Sequence, residues 1–212
     1  MKERIARILL DIKAVSINPA KPFRYASGIL SPIYCDNRMI MSYPGRRKEV
    51  TDAFVSVIEE NSLTFDIVAG TATAGIPHAA WLAERLGKPM IYIRSDSKDH
   101  GKQNRIEGLL ENGKKVIVIE DLISTGGSSV SAVEAVRESG GIVEDCIAIF
   151  TYGMEKAEKR FKEAKCSLHA LSDFSVLIDV AAEEGYIDKD KVEMVKKWNK
   201  APSEWGKEMG FE

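Results

Sequence analysis

Lys115 to Ser129, KVIVIEDLISTGGSS, ends an apolar run in two adjacent carboxylates, Glu120 and Asp121, and follows them with a turn of hydroxyl and glycine residues. Ser124, Thr125, Gly126, Gly127 and Ser128 are residue types that let a backbone wrap an anion. Glycine allows main-chain N–H groups to approach closely, hydroxyls add donors, and a helix starting there turns its positive end on the same spot. The acids need another partner, because a carboxylate repels phosphate. Sugar hydroxyls, or water around a Mg²⁺ ion, satisfy that need. A phosphorylated sugar therefore uses both halves of the string. The plainer explanation is a strand-to-helix turn with a capped helix, but a cap needs one small polar residue rather than two acids and five small residues.

Other phosphate motifs fail on inspection. The nearest approach to a GxxxxGK[ST] loop is GTATAGIP at 70–77, where Ile76 stands in place of the lysine, and no GxGxxG occurs. The same segment follows a strand pattern, so the backbone of Thr71 to Gly75 is a second candidate phosphate loop, with small-residue helix packing as its bland alternative. YIRSDSKDHGKQNRIEG at 92–108 carries Arg94, Lys98, His100 and Lys102 between glycine and polar residues. Cations there would neutralise charge on a departing anion, although a solvated loop has the same composition. His78 and His169 read as packed or surface histidines, and Cys35, Cys146 and Cys166 as small buried hydrophobes in no metal-binding spacing.

The elements that must position these residues are short β-branched runs, DIVAG (66–70), PMIYIR (89–94), KVIVIED (115–121), IVEDCIAIF (142–150) and SLHAL (167–171). Helical patterns at 75–86, 127–139 and 155–164 alternate with them, which predicts βαβ units and a mainly parallel sheet. MKERIARILLDIKAV is an amphipathic helix without the apolar core of a secretory signal, and 188–199 is a further helix packing through Val192, Met194 and Val195. Residues 15–44 are rich in Pro, Ser, Gly and aromatics and read as an irregular hood over the strand ends. The 212 residues are expected to form a single domain, 44% hydrophobic and 29% charged. With 30 basic and 32 acidic side chains there is no field to hold DNA, and no segment approaches the length of a membrane span, so neither nucleic acid nor membrane is an expected partner and the location expected is cytoplasmic.

VIVIEDLISTGGSS resembles the phosphoribosyl diphosphate motif of the type I phosphoribosyltransferases. The resemblance implies an α/β fold of that type, a central mainly parallel sheet flanked by helices with a small N-terminal hood. It implies that Glu120 and Asp121 contact ribose hydroxyls, that Leu122 continues the binding segment, and that Ile123, Ser124, Thr125, Gly126, Gly127 and Ser128 hold the 5′-phosphate. Mg²⁺ would accompany the diphosphate, with no protein ligand directly assigned. FRYASGILSPIYCDNR (23–38) and the 92–108 segment are similar to the hood and the catalytic loop of the orotate branch. That likeness makes Lys98 and His100 the expected catalytic residues, Arg94, Lys98 and His100 ligands of phosphoribosyl diphosphate, and Ser124 a contact of orotate. It further implies a homodimer, in which the loop closes over the neighbouring subunit's site, and transfer of phosphoribosyl to orotate on the way to UMP. Transfer to a purine or other base, and a non-catalytic sensor of phosphoribosyl diphosphate, are the alternatives. Ala26, Ala74, Ser95 and Tyr152 stand where several members of the branch carry cations, leaving Arg24 and Arg38 as candidates for the orotate carboxylate.

Overall fold

The structure, a computed structural model, describes residues 1–25, 28–95 and 105–211. In chain order its elements are α1 (Lys2–Asp11), β1 (Val15–Ile17), β2 (Phe23–Arg24), β3 (Leu30–Ser31), β4 (Ile33–Cys35), a 3-10 segment (Asn37–Ser42), α2 (Pro44–Glu60), β5 (Ile67–Thr71), α3 (Gly75–Leu86), β6 (Met90–Ile93), β7 (Ile106–Glu107), β8 (Val116–Ile123), α4 (Gly127–Glu138), β9 (Asp145–Thr151), α5 (Glu155–Glu163), β10 (Ser167–Asp173), α6 (Phe174–Glu183), a 3-10 turn (Lys189–Lys191), α7 (Val192–Lys200) and α8 (Pro202–Glu208). The main sheet has the order β10-β9-β8-β5-β6-β7, parallel throughout except for β7.

Period-two alternation splits each central strand between two cores. Ile117, Ile119, Ile147 and Ile149 face α1, α2, α3 and α6, whereas Val116, Val118, Cys146 and Ala148 face α4 and α5. Helices on both faces explain why these strands read as unbroken apolar runs. Because α3 leaves β5 toward one face and α4 leaves β8 toward the other, a crevice opens between the ends of these neighbouring strands. That switch point is where ligands bind in open α/β sheets.

The predicted strands and helices reappear with small shifts. β8 runs on to Ile123 because Leu122 and Ile123 pair with Phe150 and Thr151. Ile142, expected to open the next strand, makes only a bridge to Lys115, and the strand begins at Asp145. Three helices are not anticipated by the sequence patterns: α2, α6 and, in the tail, α8. α2 has Pro44 in its first turn and buries Val50, Ala53, Phe54 and Val57 at helical spacing. α6 follows β10 without a loop, its N-terminus capped by Asp173, which accepts from Val176 N–H at 3.1 Å, so its largely apolar sequence merges with the strand before it.

The hood is more ordered than its composition suggested. β1 pairs with β4, and β2 with β3, both antiparallel, around the 3-10 segment. In the tail the expected helix is a 3-10 turn followed by α7. Its strongest anchor is Trp198, which, like Trp205 of α8, is fully buried.

Candidate active site

Glu120 follows Val118 toward α4 and is 6% exposed. One carboxylate oxygen accepts from Ser129 Oγ at 2.9 Å, and the other from the N–H of Asp121 at 3.0 Å. Asp121 is partly exposed at the crevice. Burial, a hydrogen bond with Glu120 and the Glu120 charge together raise its carboxyl well above the usual range. Two acids side by side in this setting resist double ionisation, and ligand groups that donate hydrogen bonds or carry positive charge relieve them. Asn37 fixes the backbone here, donating from Nδ2 to the Asp121 carbonyl at 2.6 Å, and so ties the hood to the acid pair.

After Ile123 the chain turns through Ser124 and Thr125 into Gly126, whose φ of 74° is left-handed and suits glycine. A Cβ there would also press on Ala157 and Phe161, both at 3.3 Å. α4 begins at Gly127, and the N–H groups of its first turn have no partner inside the helix. Arg160 of α5 braces the turn, donating from Nη1 to the Thr125 carbonyl at 2.9 Å and to its hydroxyl at 3.2 Å.

The second candidate loop leaves β5 beside this one. Thr71 donates its hydroxyl to the Ile119 carbonyl at 3.2 Å, and a Cβ on Gly75 would stand 2.5 Å from Thr71 Oγ1 and 2.6 Å from Ile119 O, so only glycine lets α3 start against β8. The Ala72 N–H is committed to Ile93 O at 2.8 Å and so drops out of the expected donors. A cavity of about 330 Å³ joins this loop to Glu120, Asp121, Ser128 and Arg94. Arg94 pairs with Glu107 at 3.6 Å, and its carbonyl accepts from Arg105 Nε at 2.9 Å. Lys98, His100 and Lys102 fall within 96–104, outside the described residues.

On the hood side a larger cavity, about 860 Å³, contains Ser124 and Thr125 together with Tyr25, Met154, Trp198 and Asn199. Ser124 Oγ lies 3.9 Å from the Met154 sulfur. Trp198 donates its indole N–H to Leu30 O at 3.0 Å and meets Tyr25 and Tyr152 edge-on at 6.2 and 5.3 Å, while Asn199 donates to Tyr152 O at 2.5 Å. The tail thus closes the cavity under the hood, a role no motif announced, although Trp198 shares a helical face with Val195.

Other candidates sit elsewhere. Arg38 is held by Asp36 at 2.6 Å, and Arg24 donates to Gly28 O at 3.0 Å, so neither hood arginine lines this cavity. His78 is buried edge-on against Trp81, and burial lowers its pKa to about 4, leaving it neutral. His169 pairs with Asp145 at 2.8 Å. The described residues contain no cluster of three or more His, Cys, Asp or Glu able to hold a metal ion, and no helix long and apolar enough to cross a membrane.

An acid pair and a glycine–hydroxyl loop at the switch point of this sheet define a phosphoribosyl-handling α/β protein. The phosphoribosyl transferase domain family matches residues 37–184, and the chain belongs to that family. Its particular branch is that of the orotate phosphoribosyltransferases: it is 56% identical over 201 residues to the orotate phosphoribosyltransferase of Coxiella burnetii, covering 95% of this chain and 96% of that one. The orotate phosphoribosyltransferase structure from Aeropyrum pernix superposes with a TM-score of 0.74 at 27% identity, covering 86% of this chain and 99% of that one. A UMP synthase structure from Leishmania donovani gives 0.78 at 25% identity over 93% of this chain but only 42% of the other.

Proposed function

We infer that this protein transfers the phosphoribosyl group of 5-phosphoribosyl 1-diphosphate to orotate, giving orotidine 5′-monophosphate and diphosphate on the route to UMP. The observation that carries the reading is the strand-to-helix junction after β8, where Asp121 lines one cavity and Ser124, in the same turn, lines the other. A phosphorylated ribose placed across that junction has its hydroxyls at Glu120 and Asp121 and its 5′-phosphate at the Ser124 to Ser128 turn. The diphosphate then lies toward Thr73 to Gly75, and the base toward Ser124 and the hood.

The reaction needs no protein nucleophile. A ring nitrogen of the base attacks the anomeric carbon as the bond to diphosphate breaks, through a state with oxocarbenium character, and the protein acts by position and charge. Backbone donors of the 73–75 turn and Arg94 supply part of that charge, with Lys98 and His100 proposed to complete it. Mg²⁺ fits a site with two adjacent carboxylates and, among the described residues, no cluster of metal ligands: the diphosphate and water bonded to Asp121 would hold it, and it would neutralise charge on the leaving group. We take the chain as one domain with its hood over 15–44. Tyr34, Met39, Met41 and Tyr43, large apolar side chains exposed within ten residues, support a homodimer. Three free, buried cysteines suit a cytoplasmic protein.

The test is orotate absorbance with phosphoribosyl diphosphate and Mg²⁺ present, with adenine, hypoxanthine and uracil in parallel. Orotate alone should be consumed. Turnover of a different base would overturn the substrate, and binding of phosphoribosyl diphosphate without any turnover would point to a sensor.

A further inference from the structure

Orotate differs from uracil by one carboxylate, and the hood cavity must accept it. An anion leaving water needs a cation or several donors, or its burial costs more than the site returns. Around Ser124 the cavity wall is mostly apolar or aromatic, with Tyr25, Ile29, Met154 and Trp198. Among the described residues lining it, the only basic side chains are Lys156 and Lys200, against one acid, Glu155. Neither lysine is in an ion pair with a described residue, unlike Lys2 and Lys196 nearby, which are held by Asp173 and Asp179 at 2.8 Å.

Both lysines are carried by elements fixed at the cavity. Lys156 lies in the first turn of α5, two residues beyond the Met154 that touches Ser124. Lys200 ends α7, next to Asn199, whose side chain is bonded to the Tyr152 carbonyl. Long flexible stems let both ammonium groups reach inward without a cation being buried in the free enzyme, where it would need a permanent partner.

We propose that Lys156 and Lys200 are the specificity-determining cations of the base cavity, receiving the orotate carboxylate and thereby selecting orotate over neutral bases. The assignment rests on the reaction inferred above. It is tested by titrating orotidine 5′-monophosphate and UMP, which differ only in that carboxylate, into wild type, the single Lys156→Met and Lys200→Met variants, the double variant and the Lys→Arg forms. KM values for orotate and phosphoribosyl diphosphate are measured alongside.

Wild type should prefer orotidine 5′-monophosphate by at least roughly tenfold, the size of a charge-assisted hydrogen bond. The double variant should lose that preference and raise the orotate KM. Its UMP affinity and its KM for phosphoribosyl diphosphate should stay within about twofold, reporting an intact fold, and the arginine forms should keep the preference. A double variant that still prefers orotidine 5′-monophosphate overturns the role of the lysines while leaving the reaction standing. Absence of orotate turnover in wild type overturns the reaction itself.

Discussion

The phenol of Tyr25 stands 3.0 Å from that of Tyr152, and the direction of the bond is fixed. Tyr25 has one proton and gives it to the Ile33 carbonyl at 2.8 Å, so Tyr152 donates and Tyr25 accepts. Burial holds the Tyr152 phenol far above its ordinary pKa, which keeps it a donor at any working pH. This relay joins the hood to the end of β9 and predicts an asymmetry. Tyr152→Phe removes one bond and should cost about 1 kcal/mol, whereas Tyr25→Phe removes both and strands the Tyr152 hydroxyl, the Ile33 carbonyl keeping its bond from Ser31 Oγ at 2.7 Å, and should cost about 2 kcal/mol. Denaturant unfolding of the two variants checks the order. Equal costs would mean that the Ile33 bond contributes nothing.

Asp121 sets a conflict between stability and binding. A carboxyl raised above its unfolded value binds more protons folded than unfolded, so stability falls as pH rises from about 4 to about 7. Asp121→Asn should therefore stabilise the unliganded protein by about 1–2 kcal/mol at pH 8, by less at pH 5, and by little below pH 4. It should also abolish tight binding of phosphoribosyl diphosphate, since an amide accepts sugar hydroxyls less well than a carboxylate. In wild type that binding should strengthen between pH 6 and 8 by more than in the variant, which serves as the control for titration of the ligand's own phosphates. A variant no more stable than wild type at pH 8 would show that the pair carries no such penalty.

The acid pair and turn proposed for the phosphoribosyl group were legible because they are local. Glu120 to Ser128 is one continuous segment, and the alternation of β-branched runs with helices determined which strand end it would occupy. The hood cavity proposed for the base was not legible, because it is assembled from distant parts. Tyr25 and Tyr152 are separated by 127 residues, and Trp198 reaches them from the tail. Residue type misled where charge was concerned: Arg24 and Arg38 were the evident cations near the hood, yet local partners occupy both. The missed helices have physical reasons as well. α6 is apolar on most sides and starts directly from β10, so no polar break separated the two patterns.

Arg160 tests how far the phosphate turn depends on a residue outside it. Its guanidinium spans the Thr125 carbonyl and hydroxyl and passes so close to α4 that a Cβ on Gly127 would lie 2.8 Å from Nη1. The turn has a left-handed glycine at its centre and gains little from side-chain packing, so an external clamp should fix the direction of its N–H groups. Arg160→Met keeps the aliphatic stem but drops both bonds. It should raise KM for phosphoribosyl diphosphate roughly tenfold, leave KM for orotate nearly unchanged, and cost only about 0.5–1.5 kcal/mol of stability because the group is partly exposed. Arg160→Lys should recover part of the loss, since one ammonium can meet the carbonyl but lacks the planar fork. Steady-state kinetics with each substrate varied in turn separates the possibilities. An unchanged KM for phosphoribosyl diphosphate would mean that the turn holds its shape unaided, while a parallel rise in both KM values would mean that α5 as a whole had shifted and carried Met154 and the base cavity with it.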